Sequence, residues 1–340
     1  MFVTVIIPIR NEQRFIAACL DSIIDGTYSG QLEILVVDGR SEDGTCAIVK
    51  QYEQLYPFLK LLDNVNKTVP YAMNIGIKNA LGDVIVRVDA HALYPNNYIE
   101  KLVGALVNFE ADNVGGCWNT VPASDAVISR ATALILSHPF GVGNAHYRTG
   151  SSAPREVDTV PFGCYKKTVF ETIGLYDEML TRNQDDELNA RLKRYGGKIV
   201  LIPEVKITYY ARDNFTKMSK MLYQYGYFKP LVNIKAGGFA TWRQLVPPFF
   251  VLTLLLLSAG SFFINYLLLV LASEVLLYFM ANLLASVFIS KKRGWDIFIF
   301  LLAGFFIAHV SYGAGYLRGI LDFVLLKKHE TKKIHITMSR

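Results

Sequence analysis

Two side chains that can bind metal ions stand one residue apart at the end of an apolar stretch. The segment GDVIVRVDAHALYP, residues 82–95, is mostly apolar up to Val88 and then presents Asp89 and His91. In an extended chain, side chains at positions i and i+2 lie on the same face. Asp89 and His91 can therefore reach one ligand, and the surrounding elements decide where that ligand lies.

A second group of ionisable residues is acidic. In NQDDEL, residues 183–188, Asp185, Asp186 and Glu187 follow one another. Mutual repulsion in such a row tends to raise the pKa of at least one carboxyl group, which suits a group that accepts a proton. The structural alternative is a helix N-terminus, where each acidic residue contributes about 0.3 to 1 kcal/mol through the helix dipole.

The elements that must position these groups alternate between strand and helix. The strand-like runs are residues 2–9, 32–37, 59–62 and 84–88, and the helix-like stretches are residues 12–24, 46–55 and 74–81. Unbroken apolar strands between helices predict an α/β fold with a mostly parallel sheet covered on both faces. Ligands bind at the carboxyl ends of the strands in such sheets. Asp38 and Asp89 each follow an apolar strand, so both are predicted at the ligand-binding edge.

The turn after the second strand carries further polar residues. In VVDGRSEDGT, residues 36–45, Asp43 is more readily explained as a turn or capping residue for the next helix, whereas Asp38 stands at the strand tip. Further along, KIVLIPEVKITYYAR predicts two more strands. Residues 215–232 then show apolar positions at helical spacing beside lysines, which predicts an amphipathic helix on the membrane surface.

The C-terminal part is strongly apolar. The chain is 52% hydrophobic with a mean hydropathy of +0.27, and this excess lies mainly after residue 244. A bilayer core about 30 Å thick needs about 20 apolar helical residues, which predicts transmembrane helices at about 246–264 and 267–290. A third run, at about 297–317, is interrupted by glycines such as Gly313, so it either crosses the membrane or re-enters it.

Basic residues predict the orientation of these segments. Lysines and arginines lie at residues 291–293 and again in a basic tail at 327–340, and the positive-inside rule places both on the cytoplasmic side. That rule favours an even number of crossings, and a third crossing would conflict with it. Residues 1–232 are predicted to be a cytoplasmic domain, and residues 233–326 a membrane domain. The N-terminus lacks the features of a signal peptide.

The remaining composition excludes other classes of site. The four cysteines are scattered without a CxxC pair, so we expect neither a disulfide framework nor a structural zinc site. The net charge of +6 is assigned to lysines at the membrane surface. No basic stripe is interleaved with aromatic residues, so no nucleic-acid partner is predicted.

Five segments in order resemble the motifs of the inverting glycosyltransferases of family 2. They are VTVIIPIRNE at residues 3–12, EILVVDGRSEDGT at 33–45, RVDAHA at 87–92, VPFGCYKKTVFETIGLYDE at 160–178 and NQDDELNARLKRYGGKI at 183–199. The resemblance covers roughly residues 3–230 and implies a GT-A fold, a nucleotide-sugar-binding α/β domain. The variant DAHA and the apolar tail are most similar to glucosyltransferases of the succinoglycan and capsule exopolysaccharide type.

The resemblance implies a divalent metal, Mn²⁺ or Mg²⁺, bridging the donor diphosphate beside Asp89 and His91. His91 stands where the family usually has a second Asp, so it either binds the metal, hydrogen-bonds the diphosphate or is a structural histidine. A carboxylate with an imidazole suits Mn²⁺ better than Mg²⁺. The donor-binding residues that the resemblance implies are Pro8, Arg10, Glu12, Asp38, Lys67 and Asp89. The segment at residues 67–74 either closes over the donor or simply begins a helix.

On the acceptor side, the resemblance makes Asp185 the general base, with Asp186 and Glu187 as further candidates. Inverting transfer needs such a base to deprotonate the attacking hydroxyl. The candidates for contact with acceptor or pyrophosphate are Gln184, Arg191, Gln224 and Lys229.

Three functions remain open from the sequence. The first is transfer of a sugar, with glucose favoured, from a nucleotide sugar, with UDP favoured, to a polyprenyl-linked oligosaccharide in exopolysaccharide or capsule biosynthesis at a bacterial inner membrane. The second is a processive polysaccharide synthase, which would need more transmembrane helices and a clear Gln-x-x-Arg-Trp motif. The third is an inactive membrane scaffold with the same fold, against which the retained acidic residues argue.

Overall fold

The computed structural model describes residues 1–239 and 241–331 and divides the chain into two compact units. The first unit comprises Met1–Asn119 and His146–Tyr209, and the second comprises Thr120–Ala145 and the chain from Tyr210. This division differs from the predicted boundary at residue 232, because the second unit also contains residues 120–145 and resumes at Tyr210. Within the predicted basic tail, residues 332–340 lie outside the described residues.

The first unit is built on one mixed sheet. Its strands are β1 (Val3–Ile9), β2 (Leu32–Asp38), β3 (Leu59–Asp63), β4 (Val84–Arg87), β5 (Ala92–Leu93), β6 (Asn113–Val121), β7 (Arg155–Glu156), β8 (Cys164–Lys166) and β9 (Ile199–Tyr210). The strand order is β3-β2-β1-β4-β8-β6-β9-β5, with β7 paired to β9. The pairings among β3, β2, β1 and β4 are parallel, as the apolar runs predict, while β8 joins β4 and β6 antiparallel.

Helices cover both faces of this sheet. They are α1 (Ile16–Ile24), α2 (Thr45–Leu55), α3 (Val69–Asn79), α4 (Tyr98–Asn108), α7 (His146–Thr149), α8 (Thr168–Ile173) and α9 (Gln184–Arg194), with α5 and α6 in the second unit. One core joins α1, α2 and α4 to the sheet, and the other joins α3, α8 and α9 to the opposite face. Because strand side chains alternate, Val84 and Val86 enter the first core while Ile85 enters the second.

The sequence predicts two strands in KIVLIPEVKITYYAR, but the structure shows one, β9. Pro203 interrupts the apolar run without ending the strand. Beyond it, Val205 and Ile207 are buried while Glu204 and Lys206 are exposed, so the inside-outside alternation of a strand simply continues.

The second unit is helical. Its helices are α5 (Val127–Ile135), α6 (Pro139–Val142), α10 (Phe215–Ala236), α11 (Val246–Ser261), α12 (Tyr266–Arg293) and α13 (Phe298–Gly319), and a π-helical turn follows at Ile320–Leu325. Three helical segments of the described chain are long and apolar enough to cross a membrane: Trp242–Ser261, Tyr266–Arg293 and Trp295–Leu325. The predicted two apolar helices and the third apolar run therefore all form helices.

Glycines let α10 and α13 pack backbone to backbone. A Cβ at Gly315 would lie 2.1 Å from the Tyr223 carbonyl oxygen, and one at Gly319 would lie 2.2 Å from that of Tyr227. Small residues permit such close helix contacts. The glycines that suggested a broken third segment thus serve packing, and α13 is continuous.

The predicted helix at residues 215–232 is present as α10, and its first turns have one buried and one exposed face, with Met218 and Met221 buried and Lys217 and Lys220 exposed. Its second half differs. Gly226, Tyr227 and Phe228 are consecutive and all buried. Consecutive helical residues point in different directions, so α10 is enclosed on more than one side. The predicted location of this helix on a membrane surface stays a prediction.

Candidate active site

The loops that follow β1 and β2 are joined by hydrogen bonds. The Asn11 backbone N–H donates to the Ser41 Oγ at 2.8 Å, and the Glu42 N–H donates to the Asn11 Oδ1 at 2.8 Å. The Glu12 N–H donates to the Thr45 Oγ1 at 2.8 Å. Since β1 and β2 are parallel neighbours, with Ile9 opposite Asp38, this places both loops at one edge of the sheet.

Asp38 lies at that edge with its carboxylate turned into its own loop. The backbone N–H of Ser41 donates to both oxygens, at 3.2 and 3.0 Å, and the Ser41 hydroxyl donates to Oδ1 at 2.6 Å. The Cys46 thiol donates to Oδ2 at 3.1 Å, and burial together with this bond raises the pKa of Cys46 to about 11. The residue is only 6% exposed. Asp38 thus holds the loop, and a direct contact with a nucleotide would compete with these bonds.

Asp89 follows β4 and meets an arginine. The Arg87 Nε donates to the Asp89 Oδ1 at 2.9 Å, and the Nη2 donates to Oδ2 at 3.2 Å. The Asp89 backbone N–H donates to the Tyr94 hydroxyl at 2.8 Å, which fixes the turn after the strand. The carboxylate keeps some exposure, at 17% of the side chain, against 5% for Arg87.

Asp185 reaches the same arginine from a helix. The Arg87 Nη1 donates to the Asp185 Oδ1 at 2.5 Å. Asp185 lies in the first turn of α9, after Asn183, whose φ of 57° is left-handed. The helix is anchored by Leu188 in the core and by Asn189, whose side-chain oxygen accepts from Asn113 at 2.8 Å. The structure therefore joins two of the predicted site residues through one guanidinium.

The pKa of Asp185 lies above its ordinary value. Burial is the largest cause, because it penalises the ionised form, and the negative charges of Asp89 and Asp186 add to it. Arg87 opposes the shift through its positive charge and its hydrogen bond. A carboxyl group with a raised pKa accepts a proton more readily than an ordinary one, as a general base requires.

His91 lies beside another predicted donor residue. Its Nδ1 is 3.4 Å from the Glu12 Oε1, and Glu12 is buried while His91 is half-buried. A carboxylate beside one ring nitrogen orients an imidazole and leaves the other nitrogen for a ligand. Next to it, β5 pairs with β9 so that Ala92 is opposite Tyr209, which fixes the backbone after His91.

Asp89 and His91 stay the predicted ligands of a divalent metal, which a substrate would have to share. Among the residues that the structure describes, no three His, Cys, Asp or Glu side chains form a group able to hold a metal ion. Mg²⁺ in such sites is commonly bound by one or two carboxylates and completed by substrate phosphates. Asp89 would supply a carboxylate of that kind, whereas the imidazole of His91 suits Mn²⁺ better than Mg²⁺.

The donor side has polar atoms without partners. The Arg10 Nε and the Thr68 Oγ1 are buried and have no hydrogen-bond partner among the described residues. Such atoms cost free energy unless a ligand or water satisfies them. Lys67 is exposed with a φ of 63°, and a Cβ at Gly39 would lie 3.0 Å from its carbonyl oxygen.

The other candidates are more structural. Pro8 is half-buried within β1, and Gln184 is buried at the start of α9. Glu187 accepts from the Nε and Nη2 of Arg191 at 2.9 and 2.7 Å, and Arg191 also donates to the carbonyl oxygens of Ile173 and Leu175. Glu187 and Arg191 thus tie α9 to the chain before it.

Gln224 and Lys229 lie on α10 in the second unit, where Gln224 is buried. Their predicted role at the acceptor stays a prediction.

Arg87 belongs to the RVDAHA motif, but the sequence predicts no role for it. The signal was present, because Arg87 is the one charged residue in the run VIVRV. A buried charge on an apolar strand demands partners. Which carboxylates supply them depends on α9, which lies far along the chain.

Comparison with known proteins identifies the first half of the chain. Residues 4–167 match the family model described as Glycosyl transferase family 2. These residues form a family 2 glycosyl transferase domain. The family predicted from the five motifs is confirmed.

Two curated relatives align over nearly the whole chain. One, from Methanococcus voltae, is named dolichyl N-acetyl-alpha-D-glucosaminyl phosphate 3-beta-D-2,3-diacetamido-2,3-dideoxy-beta-D-glucuronosyltransferase; it is 26% identical over 94% of this chain and 97% of its own length. The other, succinoglycan biosynthesis protein ExoA from Rhizobium meliloti, is 25% identical over 94% of this chain and 95% of its own. The resemblance to the exopolysaccharide type is thus also found by alignment.

Solved structures support the fold. The mannosyltransferase PcManGT from Pyrobaculum calidifontis, solved with GDP-Man and Mn²⁺, superposes with a TM-score of 0.57 at 20% identity, covering 91% of this chain and 86% of that one. The predicted GT-A α/β fold, with C-terminal helices apolar enough to span a membrane, is confirmed.

Proposed function

We propose that this protein is a membrane-bound, metal-dependent, inverting glycosyltransferase that moves a sugar from a nucleotide-sugar donor to a lipid-linked saccharide. The observation that carries the proposal is the single guanidinium of Arg87, which contacts Asp89 at 2.9 Å and Asp185 at 2.5 Å. The donor-side carboxylate and the carboxyl group with a raised pKa are therefore parts of one site.

On the donor side, Asp89 and His91 would hold a divalent metal together with the diphosphate. Bound Mn²⁺ or Mg²⁺ would neutralise the charge that develops on the leaving diphosphate. Arg10 and Thr68 have buried atoms without partners and are assigned to the donor, with Lys67 beside them. Glu12 orients His91 from 3.4 Å. Asp38 supports the loop around the nucleotide through its bonds to Ser41 and Cys46.

On the acceptor side, Asp185 takes the proton from the attacking hydroxyl group. The hydroxyl oxygen bonds to the anomeric carbon while the bond from that carbon to the diphosphate oxygen breaks, so the nucleoside diphosphate leaves with the electron pair. Attack opposite the leaving group inverts the anomeric configuration. General-base catalysis of this kind contributes typically 10²- to 10⁴-fold in rate.

The lipid-linked acceptor is supported by two findings. The name of one relative contains a dolichyl-linked sugar phosphate, and the name of the other concerns succinoglycan biosynthesis. Three described helical segments are apolar enough to cross a membrane, which suits an enzyme whose acceptor is embedded there. We place the catalytic domain on the cytoplasmic side of the plasma membrane, and UDP-glucose is the favoured donor by resemblance to the exopolysaccharide enzymes.

The test uses membranes that contain the full chain, a lipid extract from a polysaccharide-producing host and a panel of radiolabelled nucleotide sugars. We expect transfer into the lipid fraction from one donor, dependent on Mn²⁺ or Mg²⁺ and abolished by chelator. Asp185→Asn should reduce the rate about 10³-fold, His91→Ala should raise the metal concentration required, and the exposed Asp25→Asn should behave as wild type.

Two results would change the proposal. A ladder of long products would favour a processive synthase, whereas a single added sugar supports one-step transfer. If mass spectrometry shows that the extract contains lipid-linked saccharides and no donor is used, the chain is an inactive scaffold.

A further inference from the structure

Arg87 occupies a position where the fold alone would favour an apolar side chain. It lies on the sheet face shared with Ile85, which packs into the core beneath α3, α8 and α9. The residue is 4% exposed, and its side chain 5%. Replacing a buried ion pair by apolar residues of similar size is often neutral or stabilising, so stability gives little reason for an arginine here.

The guanidinium uses separate nitrogens for its two partners. Nε and Nη2 donate to the two oxygens of Asp89 at 2.9 and 3.2 Å, while Nη1 donates to Asp185 at 2.5 Å. A guanidinium is planar and rigid and stays charged, so it fixes the directions of all three bonds. The distance between the two carboxylates is thereby set by one rigid group.

We propose that Arg87 is a positioning residue that holds Asp185 in register with Asp89, and so with the donor bound there. The inference rests on the proposed function, in which Asp185 is the base. A ligand that recruits an oxygen of Asp89 can displace one of the bonds from Nε or Nη2, and the bond from Nη1 to Asp185 is separate from both. Arg87 therefore keeps the base in place while the donor side is occupied.

The functional consequence is geometric. A catalytic group displaced by about 1 Å can cost about 10²-fold in rate. A lysine at position 87 would keep the positive charge, but its ammonium is a point donor on a flexible stem and cannot bond Asp185 and both oxygens of Asp89 in one plane. Arg87→Lys thus keeps the positive charge but no longer fixes the position of Asp185 relative to Asp89.

The experiment is a double-mutant cycle on the full chain in membranes. Arg87→Lys should lower kcat about 10²-fold while the donor KM changes less than about threefold. Combined with Asp185→Asn, the same substitution should lower kcat by less than about threefold further, because the group that it positions is already gone. Arg155→Lys, an exposed arginine in β7, is the matched control and should match wild type in both backgrounds.

A second readout does not depend on turnover. Calorimetry on the detergent-solubilised full chain measures binding of Mn²⁺ together with the nucleoside diphosphate released from the donor in use. Arg87→Lys should leave this affinity within about threefold of wild type, since the substitution disturbs the base more than the nucleotide. If Arg87→Lys loses its thermal unfolding transition, Arg87→Gln is carried through the same cycle.

The inference is overturned if the losses from Arg87→Lys and Asp185→Asn multiply, or if Arg87→Lys raises the donor KM and weakens nucleotide binding while kcat is kept. Those results would make Arg87 a donor ligand or a structural residue. They differ from failure of the proposed function, in which the wild-type chain itself transfers no sugar, and with that failure the inference falls too.

Discussion

Asp38 and Asp89 look alike in sequence and differ in the structure. Each ends or follows a mostly apolar strand of the parallel half of the sheet, at the edge where ligands bind. Asp38 is bound by residues within its own loop and the start of the next helix, Ser41 and Cys46. Asp89 is bound by Arg87, which also reaches Asp185 on a helix almost one hundred residues later.

The comparison shows what separates a loop support from a site residue. The hydrogen bonds that the Asp38 carboxylate accepts from Ser41 and Cys46 come from residues three and eight positions further on, so this carboxylate serves local structure. Asp89 and Asp185 both bind the guanidinium of Arg87, and part of the Asp89 carboxylate stays exposed. Long-range pairing and residual exposure therefore support the proposal that the β4 end is the reactive side of this edge.

Equal effects of Asp89→Asn and Asp38→Asn on activity would contradict the contrast between these two residues most directly. We expect Asp89→Asn to lower kcat/KM for the donor about 10²-fold, or about 3 kcal/mol, because the metal and diphosphate lose a charged ligand. The metal concentration for half-maximal rate should also rise. Steady-state transfer at several Mn²⁺ concentrations measures both, and an unchanged metal requirement would remove Asp89 from the metal site.

The pH dependence of the rate tests the role of Asp185 as the general base. Asp185 must be ionised to accept a proton, so the rate should fall as the pH drops through its pKa, which burial holds above the ordinary carboxyl value. The charge of Asp186 contributes to that rise. Asp186→Asn should therefore shift the acidic limb of the kcat profile to lower pH and raise relative activity severalfold on that limb.

The control for the pH profile is Asp25→Asn, an exposed residue at the end of α1. An acidic limb that Asp186→Asn leaves in place would assign the limb to a group other than Asp185.

The smallest expected effect belongs to Asp38→Asn. An asparagine keeps one oxygen to accept from Ser41, so the loop should weaken by roughly 1 kcal/mol of unfolding free energy. The donor KM should change less than about threefold. Thermal unfolding and donor kinetics, measured on the same preparation, separate an effect on stability from an effect on donor binding. A tenfold rise in KM without a change in stability would make Asp38 a direct nucleotide ligand, and the contrast with Asp89 would disappear.

In the second unit, as for the two aspartates, tertiary contacts decide the role of residues that stand out in the sequence. From sequence, Gly313, Gly315 and Gly319 indicate breaks in an apolar segment, since glycine weakens an isolated helix. In the structure, Gly315 and Gly319 are points of close approach to α10, and the helix is continuous. The low helix propensity of glycine is a local property, and it does not show that a neighbouring helix packs closely against these residues.

The sequence by itself determined the alternation of strands and helices, the family, the apolar C-terminal helices and the residue types at the strand ends. These depend on local periodicity and on short motifs, which the order of residues contains directly. Only the tertiary structure decided that Asp38 faces its own loop, that Arg87 joins Asp89 to Asp185, and that α10 is enclosed. Each of these depends on which distant side chain fills the neighbouring space, because a buried charge or backbone surface takes its role from the partner that packing supplies.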